Sequence, residues 1–282
     1  MESLVMKKHL PHVFIVLMLI AGLSLLLYPT VSEYINSLNL RKAITEYTNT
    51  VEGIPIENRE ELLAAAAKYN EYRAETATTL LRLSDEDREV YSSMLNVSGN
   101  GIMGYINIPA IKAFLPIYHG IEDTVLQIGI GHLEGSSLPV GGESSHCVLS
   151  GHTGLPSATL FTHLDSLVAG DIFTLHVLGE TFTYQVDSIE IMQPNDINLL
   201  SIEKGQDICT LVTCTPYGIN THRLFVRGHR IENLPDDSND PEAGALQAYS
   251  TTVFTLIIAG AVVLPVLLIV LLLVLRAKRR KK

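Results

Sequence analysis

The chain has 282 residues, 47% of them hydrophobic and 18% charged, with a formal net charge of −10 at pH 7. That balance is too apolar for a disordered chain and more apolar than an ordinary soluble domain. Its sign argues against a nucleic-acid binder, which needs basic groups to neutralise phosphates. Much of the excess apolarity sits at the two ends. Leu10 to Tyr28 carries no Asp, Glu, Lys or Arg and follows Lys7 and Lys8. A helix rises ~1.5 Å per residue, so ~20 apolar residues cross ~30 Å of hydrocarbon. Residues 10–28 therefore read as a transmembrane helix or signal anchor behind a short cytoplasmic N-terminus, 1–9. The absence of a clear small-x-small site after the run favours an uncleaved anchor over a removed signal peptide. Residues 29–100 read as a helical region and candidate lid. Ala64 to Ala67 is a run of the best helix former, and Glu57, Glu60 and Glu61 suit a helix N-terminus.

From Gly101 the pattern changes to short β-rich runs broken by Gly, Pro, Asn and Asp. Eight are expected: Met103–Ile108, Val125–Ile130, Cys147–Leu149, Ile172–Val177, Phe182–Val186, Ile189–Met192, Ile208–Cys214 and Leu224–Ile231. Eight runs at this spacing predict a barrel or a sandwich over 101–233. Residues 234–252, rich in Asp, Asn, Pro and Gly at their start, read as a linker. Residues 253–275 form a second charge-free run, interrupted by Pro265, and 276–282 carry six basic residues. A membrane helix absorbs such a proline as a kink. Basic flanks outside both runs put both termini in the cytoplasm and the middle of the chain outside. The fold class expected is mainly β with N-terminal helices, flanked by two transmembrane helices. Lys7, Lys8 and the six C-terminal bases take 8 of the 20 Lys and Arg, and Glu2 is the only acid outside the middle. The external part thus holds 12 bases against 29 acids, a surface that repels anionic polymers and anionic lipid heads.

The cysteines number three, Cys147, Cys209 and Cys214. An odd set leaves at least one thiol free or paired with another chain. Cys209 and Cys214 are five apart in a strand-like run, hence on opposite faces and poor bridge partners. There is no CxxC, HExxH or paired Cys/His spacing, so no metal is expected. Gly129 and Gly131 make a G-x-G with no helical pattern after it, which carries little weight as a phosphate loop. No cofactor is expected.

Chemistry concentrates at the end of Ile208-Cys-Thr-Leu-Val-Thr-Cys214. A thiol at a strand end beside a loop is placed like a nucleophile. Arg223, in the polar segment that follows, lies near enough in sequence to lower the thiol pKa or steady an oxyanion. Cys147 and Cys209 lie within apolar runs and read as small buried hydrophobes. Among ten histidines, His119, His132 and His152 are the candidates for a partner base. His163, His176 and His229 read as structural or exposed. His152 ranks first because it ends an apolar strand at a Gly-flanked turn, as Cys214 ends its own.

Thr210-Leu-Val-Thr-Cys-Thr-Pro-Tyr-Gly-Ile-Asn-Thr-His-Arg223 closely resembles the active-site signature of sortases, a TLxTC strand followed by a loop and an arginine. It is most similar to the class C, pilus-assembling branch. Gly101-Ile-Met-Gly-Tyr-Ile106, Leu115-Pro-Ile-Tyr-His-Gly120, Gly131-His-Leu-Glu-Gly135, Ser137-Leu-Pro-Val-Gly-Gly142 and Ser150-Gly-His-Thr-Gly-Leu-Pro156 add to the likeness. It is dense from about Asn96 to Ile231. The resemblance implies an eight-stranded sortase β-barrel, with Cys214 as nucleophile, His152 as acid/base and Arg223 as oxyanion or substrate-orienting group. Thr213 and Thr215, flanking the nucleophile, are expected to touch substrate. The implied reaction cleaves a Leu-Pro-x-Thr-Gly-like signal between Thr and Gly through a thioacyl-enzyme, then passes the acyl group to a lysine amine of another pilin subunit. The expected partners are pilins or surface proteins bearing such a signal, the lysine-bearing acceptor pilin and membrane lipid. Three alternatives stand beside it: anchoring of surface proteins to cell-wall peptide amines, a plain cysteine protease, and a non-catalytic membrane-tethered binding module. One departure is the absence of an Asp-Pro-aromatic lid motif between Asn70 and Tyr91. Ser84-Asp-Glu-Asp87 reads instead as a solvated helix N-terminus.

Overall fold

The structure is a computed structural model that describes residues 2–76, 83–196, 200–233 and Gly260. The expected linker 234–252, the basic tail 276–282 and, Gly260 apart, the second apolar run 253–275 lie outside the described residues. The chain divides into two units, one of residues 1–34 and 241–282, the other of Ile35–Asp240.

Helix α1 runs unbroken from Glu2 to Glu52. The expected boundary near Pro29 is therefore not an element boundary. Part of this helix, Met18–Glu52, contains a window long and apolar enough to cross a membrane, and none of that window is buried. It is the only such helix among the described residues. Further along, Leu40, Ile44, Tyr47 and Val51 are buried, a three- and four-residue spacing that makes one helix face. Tyr47 is the fixing point: its hydroxyl donates to Met103 O at 3.0 Å and accepts from Leu178 N at 2.9 Å. Burial pushes its pKa up to about 12.

Helix α2 spans Ile56–Thr76 and buries Ala66, Tyr69, Asn70 and Arg73. Asn70 bonds Leu138 through both its amide groups, donating at 3.1 Å and accepting at 2.6 Å, and also donates to Gly141 O. Arg73 donates to Gly135 O at 3.0 Å. These bonds fasten the non-strand segment that leads into the strand bearing Cys147. Helix α3, Asp85–Ser93, begins at Ser84, whose hydroxyl accepts from Asp87 N. Asp85, Glu86 and Asp87 fill its first turn, where the helix dipole favours negative charge. The acidic cluster is thus a helix start, as its sequence implies.

Eight strands close into a barrel in the order β1-β2-β3-β4-β7-β8-β6-β5. They are β1 (Ile102–Ile108), β2 (Ala113–His119), β3 (Ile130–His132), β4 (Ser145–Ser150), β5 (Ile172–Val177), β6 (Glu180–Met192), β7 (Asp207–Thr215) and β8 (His222–Arg230). Full closure removes the exposed edges an open sheet would carry. One apolar core fills it, from Met103 and Ile106 through Phe161, Phe173 and Tyr184 to Val226.

The count of eight agrees with expectation, but three strands differ. Val125–Ile130 is not a strand: Asp123–Leu126 forms a short helix, α4, and pairing begins at Ile130. Its apolar residues follow Glu122 and Asp123, acids that suit a helix start. Strand β2 was hidden by Pro116, which lacks a ladder donor yet sits within the strand opposite Tyr105. Phe182–Val186 and Ile189–Met192 are one long strand, β6. Asp187 lies at a register shift between Val186 and Ser188, a bulge that resembles a turn in sequence.

Candidate active site

The site is built where β4, β7 and β8 lie side by side. Strands β4 and β7 are parallel and in unbroken register from Ser145↔Asp207 to Ser150↔Val212. Two bonds extend the match beyond the last pair: Gly151 N donates to Val212 O at 3.0 Å, and the Thr213 hydroxyl donates to Gly151 O at 2.7 Å. His152 and Cys214 each stand two residues beyond that last pair, Ser150 and Val212. Strand β8 approaches from the other side and sets Arg223 directly opposite Cys214. Cross-strand partners of this kind hold their Cβ atoms ~4.5–5.5 Å apart. Cys214, His152, Arg223 and Thr215 are all half-buried, accessible at the rim yet held.

Local packing fixes the histidine turn. A Cβ on Gly151 would lie 2.6 Å from the Phe161 ring and 2.8 Å from Ile130, so only glycine passes between them. Phe161 N then donates to His152 O at 3.1 Å. Gly154, at φ +74°, lies under Tyr217, whose Cε2 is 3.2 Å from where a Cβ would stand. The loop after Cys214 and the loop after His152 therefore touch. Arg223 is steadied by its own turn, with Nη1 donating to His222 O at 3.1 Å and Asn220 O at 3.4 Å. Asn220 holds φ +60°, a left-handed conformation that asparagine tolerates.

Strand alternation sorts the rest of β7. Cys209, Leu211 and Thr213 face the core. Cys214 shares the outer face with Val212, beside Phe225 on β8. On that face Val148, Leu200 and Phe225 form a second apolar cluster with Leu133, Met192 and Val212 against it. Thr213 is buried and its hydroxyl donates to Gly151 O, which ties β7 to the turn that bears His152. Thr215, the last residue of β7, pairs with His222.

The rival histidines are engaged in scaffolding. Both ring nitrogens of His119 face carbonyls, Gly101 O at 2.9 Å and Met94 O at 2.8 Å. Burial lowers its pKa. His132 is fully buried, with Nε2 on Ser137 O and Nδ1 on the Tyr91 hydroxyl. His146, which the sequence gave no reason to weigh within its apolar strand, joins Ser201 O to the Thr210 hydroxyl, and burial lowers its pKa as well. Two further site features escaped sequence reasoning, the Gly151 passage and the Gly154–Tyr217 contact. Their only signal was the pair of glycines around His152.

Among the described residues no group of three His, Cys, Asp or Glu side chains could hold a metal ion. What remains is thiol, imidazole and guanidinium at one end of three adjacent strands, an arrangement suited to nucleophilic acyl chemistry.

Comparison with known proteins agrees with this geometry. The sortase-domain family model matches residues 106–231. Sortase D of Bacillus subtilis is 30% identical over 131 residues, covering 45% of this chain and 63% of that protein. Sortase A of Streptococcus agalactiae is 29% identical over 152 residues, covering 53% and 60%. The chain thus spans a little over or just under 60% of the length of several curated relatives it matches, 63%, 60% and 58%. Among solved structures, sortase C1 from Streptococcus agalactiae is 49% identical with a TM-score of 0.67, covering 68% of this chain and all of that one. Sortase C of Streptococcus pneumoniae is 43% identical with a TM-score of 0.61, covering 68% and 97%. A closed eight-stranded barrel with a cysteine and an arginine facing each other across β7 and β8, matched at that identity over the whole of a solved sortase, places this chain in the sortase family.

Proposed function

We propose that the chain is a membrane-anchored cysteine transpeptidase that cuts a Leu-Pro-x-Thr-Gly-like sorting signal between Thr and Gly and joins the new acyl end to a lysine of another pilin subunit. The observation that supports the reading is the parallel β4/β7 register, which ends at Ser150↔Val212 with His152 and Cys214 each two residues further on, and Arg223 of β8 paired with Cys214. The Cys214 sulfur attacks the Thr carbonyl. Charge develops on the carbonyl oxygen, where the Arg223 guanidinium and the Thr215 N–H stabilise it. The Thr–Gly bond breaks as His152 gives a proton to the departing glycine amine, leaving a thioester. A lysine amine then attacks the thioester and loses a proton to His152. The Cys214 thiolate leaves, and an isopeptide bond remains. The apolar outer face of Val212, Met192 and Leu133 offers a seat for the Leu and Pro side chains. Thr213 acts through the histidine turn.

Similarity to the Streptococcus pneumoniae sortase C, whose pilin substrate specificity has been described, supports a pilin as substrate. The apolar stretch of α1 supports anchoring. The second apolar run and the basic flanks support a two-span arrangement with both termini inside and the barrel outside. The test is made in the producing cell. Cys214→Ala and His152→Ala abolish a high-mass covalent ladder of surface protein, and Arg223→Ala severely reduces it. A ladder that persists in the Cys214→Ala cell overturns the assignment. Wall-linked monomers without a ladder point to cell-wall anchoring, and hydrolysis indifferent to added amine points to a protease.

A further inference from the structure

The first and second cysteines of the chain remain outside this chemistry. Cys147 and Cys209 are direct partners in the β4/β7 ladder. Both are free thiols in this structure and fully buried. They face the core beside Leu149 and Leu211, which are also partners. We infer that this pair is an oxidation site, and that a low-molecular-weight disulfide converts Cys147 and Cys209 into a bridge between β4 and β7.

Geometry permits the bond. Adjacent strands lie ~4.7–4.9 Å apart, inside the ~4.4–6.8 Å range of Cα separations that disulfides span. Chemistry favours it too. Before the barrel closes, both thiols are open to solvent and to a small disulfide. Thiolate is the form that attacks a disulfide. The exchange takes place before the two strands close over the pair. The Cys147 thiolate attacks one sulfur of RS–SR, forming a mixed disulfide and releasing RS⁻. The Cys209 thiol gives up its proton and attacks the Cys147 sulfur of that mixed disulfide, releasing the second RS⁻. Two protein thiols lose two electrons, the external disulfide gains them, and two RSH result. The odd cysteine count then resolves without a partner chain: one bridge, and Cys214 left free.

The bridge has a consequence for position. His152 lies five residues beyond Cys147, and Cys214 five beyond Cys209. A staple between the two cysteines fixes the relative register of the chains that bear the histidine and the distal thiol. A slip of one residue would move one past the other by ~3.3 Å and turn its side chains to the wrong face.

The inference stands on the ladder and not on the transpeptidase reading, and its test uses a chain that cannot turn over. Full-length Cys214→Ala protein in detergent is unfolded, reduced, and refolded with reduced and oxidised glutathione. The expected result is a mass lower by two hydrogens than the reduced chain. It comes with a proteolytic fragment joining Cys147 to Cys209 that a reductant separates, and a thermal midpoint that drops when reductant is added. Two alkylatable thiols, or two separate glutathione adducts, overturn the bridge. A bridge that leaves the midpoint unmoved overturns its register-fixing role. Because the readout is mass and melting, a missing bridge leaves the proposed function standing, and a missing pilus ladder leaves the bridge standing.

Discussion

Replacing Thr213 with valine removes one hydroxyl and almost no volume, and the structure says what that hydroxyl does. The Thr213 O–H donates to Gly151 O at 2.7 Å from a residue only 4% exposed. Gly151 is itself buried between Phe161 and Ile130, so water cannot readily take the vacated place. A buried acceptor left without its donor costs ~1–3 kcal/mol. The unit Ile35–Asp240 is of a size at which each kcal/mol shifts the melting midpoint by ~2–4 °C. Thr213→Val should therefore melt ~2–12 °C lower. The effect on rate should be the larger one. Gly151 precedes His152, and a displacement of ~1 Å at a reacting group costs ~100-fold. The measurement is the rate of thioacyl-enzyme formation on a quenched fluorescent sorting-signal peptide, taken well below the melting midpoint. Thr213→Ser, which keeps the donor, should retain most of the wild-type rate. A Thr213→Val protein that is folded and as fast as wild type would refute the claim that this bond aligns the histidine turn.

Two other outcomes test the scaffold. Tyr47→Phe strips the partner from Leu178 N and from Met103 O together, and should lower stability by ~1–3 kcal/mol or more, read by denaturant unfolding, while the peptide-cleavage rate of the folded fraction holds. His119 and His146 both have folded pKa values lowered by burial, so the unfolded chain binds their protons first. As pH falls below ~6.5, stability should decline by up to ~1.4 kcal/mol per pH unit for each histidine. A His146→Gln chain should show a shallower decline in melting midpoint between pH 6.5 and 5.

The parts of the barrel legible in sequence are those whose signal is local. β4, β5, β7 and β8 combine β-formers with turn residues at both ends. β2 was obscured because Pro116 argues against a strand on local grounds, and only pairing with Tyr105 shows that it fits. Asp187 resembles a turn because a bulge and a turn share their residue preferences. At the site, Cys214 and Arg223 were readable from a strand end and the segment after it. His152 was harder. His119 and His132 also stand beside glycines, and what separates the three is which ring nitrogens are consumed by Gly101, Met94, Ser137 and Tyr91, facts of tertiary packing. Thr213 shows the same limit: its place beside the nucleophile suggested substrate contact, whereas its hydroxyl faces inward to Gly151.

The pairing of β4 with β7 also bears on when the molecule can react. Ser145 and Asp207, partners at its start, are 62 positions apart in the chain, and the segment between them must traverse β5 and β6 before the two can meet. Long-range parallel contacts of this sort repay their loop-closure entropy late in folding. Each strand alone carries an ordinary thiol or an ordinary imidazole. Under the proposed function, a chain whose barrel is still open is therefore silent towards the peptides around it, and its reactivity comes only with the last stage of barrel closure.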